Sequence, residues 1–153
     1  MPTPHDPHAR HDPFPDLPVD PDVTPGVHGS VVAAVAVGGA LGAAARWAVA
    51  EALPHTSGQL PWATLLTNVL GCFLIGVLMV VVLERLPRQR LVRPFLGTGI
   101  LGGFTTFSTY VLDTRGLVAA HHTGLAAAYL AGSLVAGLLA VVAGLRLTEQ
   151  VLR

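Results

Sequence analysis

The chain has 153 residues, of which 52% are hydrophobic and only 12% charged, and its mean hydropathy is +0.60. That composition belongs to a membrane protein and excludes an ordinary soluble domain. The formal net charge is zero, which argues against a nucleic-acid partner, and the single cysteine, Cys72, cannot form an internal disulfide.

Residues 1–29 form a separate region, rich in Pro, Asp and His with little to bury, and read as a disordered cytoplasmic tail. His5, His8 and His11 fall in it, but a Pro-broken segment does not preorganise metal ligands. Four apolar runs follow: Val31–Ala50, Trp62–Leu83, Phe95–Leu112 and Gly124–Leu145. Each is close to the roughly 17–25 residues that a spanning helix needs. The first lacks a basic flank and is long enough to stay in the bilayer, so it reads as a span and not a secretory signal. The links are short, so residues 30–148 make one four-helix unit, with 149–153 as a C-terminal tail.

All nine basic residues are arginines. Arg10, Arg85, Arg88, Arg90, Arg93, Arg146 and Arg153 fall on one side of a four-crossing chain. Arg115, with Arg46 near the end of the first run, falls on the other. The positive-inside rule therefore places both termini in the cytoplasm.

In the first span, Gly38 and Gly42 make a small-xxx-small pair that lets another helix approach closely. Arg46 either snorkels to the interface or sits at the mouth of an anion path. In the second span Asn68 lies well inside the hydrocarbon, where a carboxamide requires a partner. It is either an interhelical hydrogen bonder or a pore-lining donor with two N–H groups. The fourth span places Tyr129 and Ser133 on one face at i, i+4, and Gly137 continues it. Gly132/Ala136 and Ser133/Gly137 are also small pairs suited to packing.

The third span carries Gly102-Gly103-Phe104-Thr105-Thr106-Phe107-Ser108-Thr109-Tyr110, too polar for a plain lipid-facing helix. Its glycines and β-branched threonines predict a break in mid-span, which a membrane tolerates only inside protein or along a wet path. Carbonyls freed at a half-helix end can hold a small cation such as sodium. Beyond the break Phe107 and Tyr110 share a face, and their ring edges carry partial positive charge. Ring edges, Asn68 N–H groups and hydroxyls such as those of Thr106 and Thr109 can together replace water around a small anion. The four runs as bounded above contain no Asp, Glu, Lys or His, and Asp113 falls at a span end, so a proton-coupled exporter lacks its carboxylate. No nucleophile–base pair or clustered metal ligands point to an enzyme.

The motifs GGALGAAAR in the first span, N-x-x-G-C-F-L-I-G from Asn68 to Gly76 and GGFTTFSTY in the third resemble the Fluc (CrcB) fluoride channels of bacteria. The likeness covers roughly residues 31–146. It implies an all-α membrane protein of four transmembrane helices, the third broken mid-span, that pairs as an antiparallel dimer in the bacterial plasma membrane. It implies passive fluoride export along pores between subunits. The pore asparagine matches Asn68, the paired aromatics Phe107 and Tyr110, the polar track Tyr129 and Ser133, and the vestibule arginine Arg46. A structural sodium ion at the dimer centre would be held by the backbone carbonyls of Gly102 and Thr105.

Two positions depart from the family pattern: Tyr110 stands where phenylalanine is usual, and Gly137 where a hydroxyl is often found. Together with the arginine bias they point to one fixed orientation and an oppositely oriented sister chain. Two other readings stay open, a non-conducting structural subunit of such a pair and a small proton-coupled exporter.

Overall fold

The computed structural model describes residues 29–85 and 89–153, so most of the expected N-terminal tail lies outside it. Four helical spans are long and apolar enough to cross a membrane: Gly29–Ala52, Trp62–Val82, Arg93–Ala119 and Thr123–Leu152. The chain is therefore a multi-pass, all-helical membrane protein, and the described residues contain no strand. Helix α1 is Gly29–Ala52 and α2 is Trp62–Arg85. The third span begins as a π-helix, Arg93–Leu101, and continues through a single turn, α3, Gly102–Phe104. It leaves helical geometry and resumes as α4, Ser108–Ala119; α5 is Thr123–Leu152.

Two close pairings build the bundle, and small residues permit both. A Cβ on Gly38 would strike the Phe95 carbonyl and Gly99, and one on Gly42 would strike the Ile100 carbonyl, so α1 lies backbone-to-backbone on the π-helical segment. The α2–α5 seam repeats this at Gly76, against Val141, and at Gly144, against Phe73. In hydrocarbon there is no hydrophobic drive between helices, so such contact supplies the attraction through dispersion. Gly132 faces open space, so its expected small pair does not pack within this chain, whereas Gly137 abuts Cys72.

The helix break falls at Thr105–Phe107 and not at the glycines. Gly102 is helical (φ −65°, ψ −35°), whereas Thr105 is extended (φ −82°, ψ 157°). Gly103 serves packing instead, because a Cβ there would strike Gly39 of α1. α4 ends in a Schellman turn: the N–H of His122 donates to Leu117 O at 2.9 Å and that of His121 to Val118 O at 3.0 Å. His121 takes the left-handed conformation that this turn requires (φ 63°).

The third span runs seven residues further than its apolar run predicts, to Ala119. Asp113 consequently lies within a span, contrary to the expectation that the spans lack acidic groups. It is tolerated because its side chain is 10% exposed and both carboxylate oxygens have partners, described below. Buried Leu117, Ala126 and Tyr129 form a hydrophobic core cluster, with Leu60, Leu65 and Tyr110 against it. Val37, Leu41, Leu134, Leu138 and Leu139 are exposed along the outer helix faces, as a bilayer-embedded bundle requires.

Candidate functional site

The site is built around the break. Extending the chain at Thr105 frees the N–H and C=O of Thr106 from the helical ladder. Asn68, reaching across from α2, takes both: its Nδ2 donates to Thr106 O at 2.9 Å, and its Oδ1 accepts from Thr106 N at 2.8 Å. A primary amide carries the same donor and acceptor as a peptide unit, so it closes a two-bond ring of the kind strands make. The pairing also fixes which end of the carboxamide is nitrogen. Both expectations for Asn68 are thus compatible, since one N–H makes the interhelical bond and the second has no partner among the described residues.

The rest of the break is satisfied just as locally. Thr105 Oγ1 donates back to Leu101 O at 2.8 Å. Thr106 Oγ1 accepts from Thr109 N at 3.2 Å, in the manner of a helix N-cap, and donates to Thr109 Oγ1 at 3.1 Å. Gly103 O loses its helical donor and accepts instead from Arg46 Nε at 3.0 Å. Arg46 is therefore tied to the break and does not snorkel away. With Thr64, Thr67, Thr106 and Thr109 it lines a cavity of about 210 Å³ between α1, α2 and the break.

Two further carbonyls lose their helical donors in the same rearrangement. The N–H that would serve Gly102 O belongs to Thr106 and goes to Asn68. The one that would serve Thr105 O belongs to Thr109 and goes to Thr106 Oγ1. Hard oxygen donors, freed in pairs at a half-helix end, suit a small cation.

Beyond the break three rings step toward α5. Phe107 and Tyr110 have centroids 5.9 Å apart and tilted by 47°; Tyr110 and Tyr129 are 5.3 Å apart and tilted by 52°. Tilted rings set edges toward faces, the arrangement that aromatic quadrupoles favour. Phe107 is 77% exposed, so its ring faces outward from this chain. The tyrosine at 110 keeps its ring in the ladder, and its polar tip donates to Leu130 O on α5 at 2.6 Å. Gly137 has a packing reason for lacking a hydroxyl: a Cβ there would stand 3.2 Å from Cys72 Sγ.

The hydroxyls of Tyr129 and Ser133 are both buried without a hydrogen-bond partner. Tyr129 lies beside Thr64 without reaching hydrogen-bond geometry, and Asp113 is within electrostatic reach of it. Thr64 Oγ1 instead donates to Asp113 Oδ2 at 2.6 Å, and His55 Nε2 stands 3.4 Å from Asp113 Oδ1. Sequence reasoning set Asp113 aside as a span-end residue and did not single out Thr64 or His55. The signal was present, because Phe107, Tyr110 and Asp113 follow one another at i, i+3 and Thr64 precedes Asn68 by one turn.

The fold and site define a four-helix membrane protein with a broken third span and a polar-lined cavity beside the break. Comparison with known proteins gives the family. The profile described as "CrcB-like protein, Camphor Resistance (CrcB)" matches residues 33–145. "Fluoride-specific ion channel FluC 2" of Streptomyces avermitilis is 57% identical over 104 residues, covering 68% of this chain and 66% of that protein. "Fluoride-specific ion channel FluC 1" of Streptomyces coelicolor is 54% identical over 111 residues, covering 72% of each. "Fluoride-specific ion channel FluC 2" of Nocardia farcinica is 47% identical over 124 residues, covering 81% of this chain and 89% of that protein. The chain belongs to the CrcB-like family.

Proposed function

We propose that this chain is a subunit of a fluoride-specific channel that lets the anion leave the cytoplasm passively. The observation that carries the reading is the pair of buried, unpartnered hydroxyls of Tyr129 and Ser133. A buried hydroxyl without a partner is a standing penalty of about 1–3 kcal/mol, tolerated where a ligand supplies the missing bond. The Tyr110 ring packs against Tyr129 and the Phe107 ring against Tyr110, while at the break the Thr109 hydroxyl and the second N–H of Asn68 stay available, the Thr106 hydroxyl being spent on Thr109 Oγ1. These are donors and positive ring edges. Fluoride is small and strongly hydrated, so preorganised donors are needed to replace its water, and several weak sites let it hop onward. Arg46 adds positive charge at the adjoining cavity.

The subunits pair antiparallel, both termini of this chain face the cytoplasm of a bacterial plasma membrane, and the exposed Phe107 ring faces the second chain. Seven arginines against two disfavour insertion in both orientations, so the partner is an oppositely oriented sister chain. The freed carbonyls of Gly102 and Thr105 would hold a structural sodium ion at the dimer centre, contributing positive charge and tying the chains together.

Fluoride efflux from liposomes tests the reading, first with this chain alone and then with a candidate sister chain. The expected result is little flux alone and rapid, fluoride-selective efflux from the pair. Efflux no faster than from empty vesicles in both cases would overturn it. Efflux that required a proton gradient would favour an exporter, for which Asp113 now supplies an embedded carboxylate.

A further inference from the structure

We propose that His55 sets the charge at one mouth of the anion path, so that its protonation admits fluoride past Asp113. The inference rests on the channel reading and extends it to a residue outside the pore lining. Asp113 poses a physical problem for such a pore: a carboxylate 10% exposed, bonded to Thr64 and within electrostatic reach of Tyr129, repels an anion approaching the unpartnered hydroxyls. Its second oxygen faces His55 Nε2 at 3.4 Å. Protonated, the imidazole cancels the carboxylate charge and holds it turned toward Thr64; neutral, it leaves the negative charge uncompensated.

The loop that carries His55 is built to hold it. Thr56 and Gln59 close a turn through Thr56 N to Gln59 Oε1 at 3.2 Å and Gln59 N to Thr56 O at 3.1 Å. Gly58 takes φ 93° and sits against Ala120 and His122 of the α4–α5 turn. The groups facing the pair are Thr64 of α2, Tyr129 of α5 and Asp113 of α4 itself; His122 meets the loop at Gly58. Glu51, Arg115 and His121 at the same end are exposed, where salt screens them. Histidine is the side chain that ordinarily changes charge between about pH 5 and 8. This end is opposite the termini, so it faces the outside, where acid converts fluoride into membrane-permeant HF. The same acid would open the exit.

The test uses the reconstituted channel, with its sister chain where flux requires one, and symmetric buffers between pH 6 and 8, subtracting protein-free vesicles to remove HF leak. The wild type should gain up to about tenfold in fluoride flux on acidification. H55Q should lose that dependence and stay at the alkaline rate; D113N should lose it and stay at the fast rate. A second readout needs no flux: the His55 imidazole is titrated by NMR in the full chain, with sodium fluoride or sodium chloride. Because protonated His55 favours the anion, fluoride must by linkage raise the titration midpoint, and chloride must not. A fluoride-induced rise without vesicle flux would support the mouth while counting against the channel reading. An unchanged pH profile in H55Q, or a midpoint indifferent to fluoride, would overturn the proposal.

Discussion

At the scale of single residues, the site depends on which polar groups are committed to the protein and which are left over. Asn68 is committed: it replaces two backbone partners at once. Asn68→Ala should strand the N–H and C=O of Thr106, at about 1–3 kcal/mol each if both stay dry. Unfolding in detergent should show that loss, and fluoride flux should collapse with it. Tyr110 is the contrast. Its hydroxyl bonds a carbonyl within helix α5, so Tyr110→Phe should lower stability by no more than about 1 kcal/mol. The ring should stay in the ladder and flux should persist, which the same two assays would show. Asn68 and Tyr110 stood out in the sequence, as a carboxamide in hydrocarbon and an aromatic at i, i+3. Their partners did not. Asn68 lies 38 residues from Thr106, and no local pattern encodes that pairing.

At the scale of elements, the third span shows how one signal can serve two ends. Its glycines predict a weak helix, and a break does occur, but the glycines themselves remain helical. Gly99 and Gly103 remove side chains so that α1 can lie against the span. The break comes where Thr105 turns extended and Asn68 stands ready for the freed peptide groups. The π winding of Arg93–Leu101 has no signature in the residues. Gly42→Ala tests this packing. Its Cβ would meet the backbone of Ile100, which cannot rotate away, so a loss of about 1–3 kcal/mol is expected in detergent unfolding. Gly124→Ala, with open space around it, should leave the midpoint unchanged or slightly raised.

At the scale of the whole molecule, composition alone announced four spans and their order, because apolar runs must cross a bilayer as helices. Span ends were less legible. Asp113 looked like a boundary by charge, yet His55 and Thr64, both far away in sequence, let the helix carry it inward. Orientation is a property of the complete chain. With seven arginines at the end bearing both termini and two at the other, topology mapping with accessible cysteines on a Cys72-free background should find a single orientation. Equal labelling of each loop from both sides would mean dual insertion and remove the case for a sister chain.

The central claim is that Tyr129 and Ser133 keep buried hydroxyls free for fluoride. The double variant Tyr129→Phe/Ser133→Ala separates that role from a structural one, because removing an unsatisfied hydroxyl should not destabilise the fold. The decisive measurement is the initial rate of fluoride efflux from liposomes holding the functional channel, wild type against this variant, at matched thermal unfolding midpoints. The account predicts equal or slightly greater stability and at least about a tenfold loss of flux, corresponding to about 1.4 kcal/mol of lost anion stabilisation along the path. Undiminished flux at unchanged stability would contradict it.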